Sequence, residues 1–322
     1  MRWILAGRSG MALLLVLGMV ALLSVMVVGF SSEEGIDIEL AYNFRDSVQA
    51  QQIARGVVEA AVAVLEEDDP SHDSKDEQWG GFSQYVAGAS TYLEGATVDA
   101  SIQDESGKID LNALAANDGY REMRIAQFQR LFSLLHVDAT EEEVREIAYA
   151  VIDWIDEDGE TELGAEDDYY QSLDPPYHCK NAPMDTPEEI LLVKGMKPEY
   201  FFGTKDHEGI VNYVTTGTNG RINVNTASET VLMSLSESAG EQVVANIVDC
   251  RPFLSNDLGC ISGLDLSGQG AESAWLRSTL VANSSRFSVE VKTVTASGAE
   301  VHVRAVLERI NNKPTIVYYR IY

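Results

Sequence analysis

The residues best placed to do chemistry are carboxylates. Between Asp153 and Tyr170 the chain reads DWIDEDGETELGAEDDYY, and from Asp138 to Asp174 the only basic residue is Arg145. Unpaired carboxylates at that density repel one another. Hard cations relieve the repulsion, and calcium accepts six to eight oxygen ligands on an irregular loop. Gly159 and Gly164 permit the bends that would aim several acids inward. The D-x-D-x-D-G spacing of an EF-hand is not met. The competing reading is an acidic loop that simply faces water.

Other chemistry is poorly represented. The histidines His72, His136, His178, His207 and His302 are scattered, with no H-E-x-x-H. There is no G-x-S-x-G, Walker A or G-x-G-x-x-G pattern, so the sequence nominates no catalytic residues and no small-molecule substrate. In an oxidising compartment Cys250 and Cys260 are candidates to close a short loop, with Cys179 left over, but sequence alone does not fix the pairing.

The elements that must position the acidic stretch follow from composition and periodicity. The 322 residues are 45% hydrophobic, enough for a sizeable core, and carry a formal net charge of −28. Such a surface repels nucleic acid and suits cations or basic partners. An uncharged run lies between Arg8 and Glu33, longer than a secretory h-region and long enough to span a bilayer as a helix. Arg2 and Arg8 before it, and Glu33, Glu34 and Asp37 after it, predict a cytoplasmic N-terminus and an exported remainder. Ala41, Phe44, Val48, Val57, Val58, Ala61, Val62 and Leu65 continue at helical spacing until EEDDP stops the pattern.

The segment around STYLEGATVDASIQDESGKIDLN predicts strands turning at Glu94-Gly95 and Ser106-Gly107. Helical patterns follow from Leu111 to Ala282, with capping-box pairs Thr140/Glu143 and Thr186/Glu189. RFSVEVKTV, AEVHVRAVLERI and TIVYYRIY return to strands. The simplest architecture is α+β: a long N-terminal helix on a small antiparallel sheet, with a large all-α domain inserted in the sheet. KIDLNAL and RINVNTA echo each other, each placing an Asp or Asn two residues before an Asn at a turn. INVNTA is also similar to the opening of DNA-binding helix-hairpin-helix modules, but the block lacks the basic density that phosphates require.

Taken together, GRSGMALLLVLGMVALLSVM, DESGKIDLN, DWIDEDGETELGAEDDYY, PPYHCKNAPMDTPEEILLVKGM and RINVNTAS resemble, in the same order, stretches of the general secretion pathway protein K family, minor pseudopilins of type II secretion systems. The resemblance implies a prepilin leader (1–10), cut by prepilin peptidase after Gly10 with N-methylation of Met11. A transmembrane half (11–30) and a periplasmic half (31–69) of the N-terminal helix come next. Pseudopilin strands (70–110), an inserted α-helical domain carrying the acidic loop (111–283) and closing strands (284–322) complete the chain. Mature position five would be Leu15, where most pilins carry a Glu that neutralises the amine of the subunit ahead; a tip subunit has none ahead. The family's Asp-rich stretch implies Asp156, Asp158, Glu160, Glu166, Asp167 and Asp168 as a pool of structural calcium ligands. It also implies I- and J-type pseudopilin partners, an inner-membrane anchor with a periplasmic domain, and no enzymatic activity. The runner-up readings are a type IV pilus minor pilin, an anchored DNA receptor, and an anchored hydrolase.

Overall fold

The computed structural model describes residues 8–93 and 95–322. The leader expected at 1–10 therefore lies outside the described residues except for 8–10, and the turn expected at Glu94-Gly95 is described only at Gly95, with φ +88°. Helix α1 (Arg8–Glu66) runs unbroken for 59 residues. Its first half shows every large apolar side chain from Met11 to Phe30 to the outside. Its last turns instead place Ala50, Ala54, Val58, Ala61 and Leu65 on one stripe, all at most 1% exposed. Alanine at three of these five positions brings the helix backbone close to what lies beneath.

Beneath it is a four-stranded antiparallel sheet in the order β1, β6, β7, β8. Helix α2 (Phe82–Ala89) and strand β1 (Thr97–Asp104) come first in the chain. The short strand β2 (Ile109–Asp110) then leads into α3 (Arg121–Leu134), α4 (Glu141–Ile155), α5 (Asp167–Gln171) and α6 (Pro198–Phe202). Two-residue strands β3 (Val214–Thr215) and β4 (Ile222–Asn223) precede α7 (Glu229–Ser234), α8 (Glu241–Asp249) and α9 (Ala271–Thr279). Strand β5 (Leu280–Val281) returns the chain to the sheet, which closes with β6 (Arg286–Val294), β7 (Glu300–Ile310) and β8 (Lys313–Ile321). Strand β1 pairs with β6 although the whole helical block separates them in sequence. Alternation puts Val98, Ala100 and Ile102 of β1, Phe287, Val289 and Val291 of β6, and Val303, Ala305 and Leu307 of β7 against α1. The helical block has its own core, built around Phe128, Phe132, Ile147, Trp275 and Leu232.

Three local features differ from the sequence expectations. Phe82 and Val86, one helical turn apart, bury against the sheet, so a short helix precedes β1 where only strands were expected. The polar segment 70–80 is no free loop: Asp73 is fully buried, its N–H donates to the Ala282 carbonyl at 2.9 Å, and Trp79 stacks edge-on against Phe287 at 5.4 Å. Within the helical block, β2 pairs in parallel with β3, and β4 with β5. These short ladders begin at the two echoed sequences. The Asp110 carboxylate accepts the N–H of Asn112 and those of Gly217, Thr218 and Gly220; the Asn223 side-chain carbonyl accepts the N–H of Asn225. The echo is one turn device used twice.

Candidate metal centre

The acidic loop begins where α4 ends. Thr140 and Glu143 cap the start of this helix reciprocally, and its apolar stripe of Val144, Ile147, Ala148, Val151 and Ile152 sinks into the core. Burial of that stripe carries Asp153 inside, where it is fully buried. Its carboxylate accepts the Gly164 N–H at 3.1 Å and so folds the loop back on the helix. Gly164 is required for that fold: a Cβ there would lie 2.4 Å from the Ala150 Cα. Lys194 donates to the Gly164 carbonyl at 2.9 Å, and Arg121 clamps Glu162 at 2.8 Å. Trp154 and Tyr170 pack edge to face at 5.0 Å beneath the loop.

This scaffold brings Asp156, Asp158 and Glu166 together, with one carboxylate oxygen of each within 4.8 Å of the others. Asp156 Oδ1 and both Glu166 oxygens are buried without a hydrogen-bond partner, and so is Asn181 Oδ1. Asn181 reaches the site from the segment after α5, held at φ +46° with its Nδ2 donating to the Asp158 carbonyl at 3.3 Å. Burial, reinforced by Asp158 and Asp153, raises Asp156 to about 6. Burial, reinforced by Asp153 and Asp156, raises Glu166 to about 7. Four unsatisfied oxygens and mutually repelling acids are the condition a hard cation satisfies. The donor set, all oxygen, fits calcium. The one nearby thiol, Cys179, donates from its Sγ to the Asp153 carbonyl at 3.5 Å.

The other carboxylates of the expected pool stand apart. Glu160 is exposed and contributes its N–H to Asp158 at 2.9 Å. Asp167 accepts the Cys179 N–H at 2.9 Å and faces His178 at 3.1 Å, so it ties down the segment that delivers Asn181. Asp168 is exposed on α5. Asn181 was not in the pool; an amide gives no charge signal, and its place at the end of PPYHCKN was the only clue.

A second acidic group, Asp68, Asp73 and Glu77, is already served by a protein cation. Arg309 Nη1 binds Asp73 at 2.6 and 2.8 Å, and Nη2 binds Asp68 at 2.6 Å. The INVNTA asparagines are likewise committed. Asn223 Nδ2 lies 2.8–2.9 Å from the Asp73 carbonyl, Asp104 and Ser284, and Asn225 is paired with the Phe253 backbone. Both asparagines are buried, Asn223 joining the helical block to the sheet domain and Asn225 tying the block to itself, leaving neither to meet a phosphate. Cys250 and Cys260 are joined by a disulfide, and Cys179 is free and half-buried.

A family profile described as type II secretion system (T2SS), protein K, matches residues 107–202, which include the whole acidic loop and Asn181. The type II secretion system protein K of Pseudomonas aeruginosa is 29% identical over 252 residues, spanning 76% of this chain and 73% of that one. Profile, relative and fold together support this chain as a type II secretion system protein K. The Klebsiella pneumoniae member is 26% identical over 195 residues, covering 59% of this chain and 58% of its own. A crystal structure of the GspK-GspI-GspJ complex from enterotoxigenic Escherichia coli contains a chain that superposes with a TM-score of 0.69 at 18% identity, covering 88% of this chain and 99% of that one. Protein K is a minor pseudopilin, so the long helix on a small sheet with a helical insertion is the fold of its family. Among the described residues one helix, near the N-terminus, is long and apolar enough to cross a membrane, which fits a single-pass anchor.

Proposed function

We propose that this minor pseudopilin closes the tip of a periplasmic pseudopilus, together with pseudopilins of the I and J types, and assists export of folded proteins through the outer membrane without catalysing a reaction. The observation that carries the reading is α1. It is one helix, exposed and apolar from Met11 to Phe30 and sheet-bound over its last turns, attached to an insertion much larger than the sheet it interrupts. The first half suits lateral packing in a membrane or a helix bundle, and the insertion suits an end position rather than a repeating one. Leu15, 64% exposed, offers no carboxylate to the amine of a subunit ahead. The E. coli relative crystallised with GspI and GspJ supports the choice of partners.

Under this reading the N-terminus is cytoplasmic, prepilin peptidase cuts after Gly10, Met11 is N-methylated, and the helix anchors the chain in the inner membrane. Asp156, Asp158, Glu166 and Asn181 would hold a structural calcium ion, which would neutralise the loop and fix it against α4. Gold labelling of assembled pseudopili tests the tip assignment: label confined to filament ends is expected, and regular label along the shaft contradicts it.

A further inference from the structure

The sheet has one long open edge. Among the described residues β8 pairs only with β7. Tyr322 and His302 exchange both backbone hydrogen bonds, at 3.0 and 3.1 Å, and Arg320 opposite Arg304 lies two residues along. By the alternation of an antiparallel ladder, the N–H and C=O groups of Tyr319 and Ile321 point away from β7 toward the open side. The side chains of Ile316, Tyr319 and Ile321 lie on the α1 face, opposite Leu307, Ala305 and Val303. They remain 42%, 39% and 44% exposed, because α1 packs mainly on β6 and β7 and covers β8 only in part. A groove of about 430 Å³ runs between this apolar row and Gln51, Arg55 and Val58 of α1.

The opposite face of the same edge carries an arginine pair, of which only Arg320 lacks a carboxylate partner among the described residues. Arg320 stands directly across from Arg304, a like-charge pairing that costs stability in a sheet. Arg304 is bonded to Glu188 at 2.8 Å and Glu290 at 3.3 Å. Arg320 makes no ion pair among the described residues and leans on the Tyr322 ring at 6.0 Å. In a chain with net charge −28 this cation stands out. Proteins normally blunt such edges with charge, proline or a bulge. Here Lys313 and Pro314 guard only the beginning, and the bulge at Val317 leaves Tyr318–Ile321 regular.

We propose that β8 accepts an extended segment of another polypeptide as a fifth strand, in which two aliphatic residues flank an acidic one. The backbone of that segment would bond to Tyr319 and Ile321. Its aliphatic side chains would fill the groove beside α1, and its carboxylate would meet Arg320 on the other face. Strand addition of this kind draws affinity from main-chain bonds and specificity from alternate side chains. The inference rests on the open edge and is independent of the calcium loop and of the place of the chain in a filament.

The test uses the full-length chain in detergent micelles and two fluorescein-labelled octapeptides, one alternating Val with Glu and one alternating Val with Lys. Anisotropy should show the Val/Glu peptide binding at least tenfold more tightly, and hydrogen exchange should slow within 313–322 on binding. Arg320→Glu, at an exposed position, should reverse the preference. Tyr319→Pro removes an outward N–H without touching the β7 ladder and should abolish binding. Equal or absent binding of both peptides, an unchanged preference in Arg320→Glu, or protection elsewhere in the chain overturns the proposal. So does concentration-dependent self-pairing through 313–322, which would make a second copy the occupant.

Discussion

Burial and mutual repulsion act together on Asp156 and Glu166 in the acidic loop. The carboxyls of Asp156 and Glu166 sit at about 6 and about 7, above their ordinary values near 4. A group raised on folding lends stability that is present below its unfolded pKa and is lost as pH rises through its folded pKa. The metal-free protein should therefore lose stability between roughly pH 4 and 7. Calcium binds the ionised forms and displaces their protons, so the benefit of calcium should grow across that window. At a hundredfold excess over Kd, calcium contributes about 2.7 kcal/mol. Scanning calorimetry should show a larger calcium-induced Tm rise at pH 7.5 than at pH 5. Glu166→Gln should raise the metal-free Tm at pH 7.5 and shrink the calcium increment, because the amide removes one repelling charge and one hard ligand. If chelation leaves the Tm of the wild type unchanged, the loop holds no ion. At the seam between the two cores, Asn223→Ala would strip the shared donor from Asp104, Ser284 and the Asp73 carbonyl. Each buried group left unsatisfied costs about 1–3 kcal/mol, so the urea midpoint should fall sharply.

At the scale of elements, periodicity carried far and charge pattern less so. The alternation of β6 and β7, the capping box of α4 and the end of the α1 stripe at Val58, Ala61 and Leu65 are visible as residue spacing, because each element buries one face; Ala41, Phe44 and Val48, expected on that face, are exposed, and the small Ala50 and Ala54 take the buried positions instead. Helix α2 was hidden because it offers only Phe82 and Val86 to a core, too few to set a period. Segment 70–80 looked like solvent-facing chain because its buried groups are polar, and their partners Arg309 and Ala282 lie more than two hundred residues away. The same holds for the metal centre. The acidic run marks the loop, but which acids converge depends on Asp153 turning the loop at Gly164. Gly164→Ala should force the loop off α4, lowering Tm and removing the calcium response together. A variant that keeps the full calcium increment would show that this close approach is not what assembles the site.

For the whole molecule, two cores meet along a polar seam, and one helix leaves the sheet-side core with an apolar half long enough to cross a membrane. If α1 is the processed helix of a pseudopilin, mass spectrometry of the protein from its native membrane should find a chain beginning at N-methylated Met11. An intact Met1 start, or a cut after Phe30, would contradict that. The unbroken course of α1 also sets a distance. At 1.5 Å per residue, the residues from Ser31 to Gln49 hold the sheet about 28 Å beyond the end of the apolar half. The complete 59-residue helix is about 88 Å long. A transmembrane helix commonly tilts by about 20°. Such a tilt of a stiff rod this long swings its far end sideways by about 30 Å. If α1 is anchored in a membrane as proposed, the folded body would search for its neighbours by rocking as well as by drifting with the anchor.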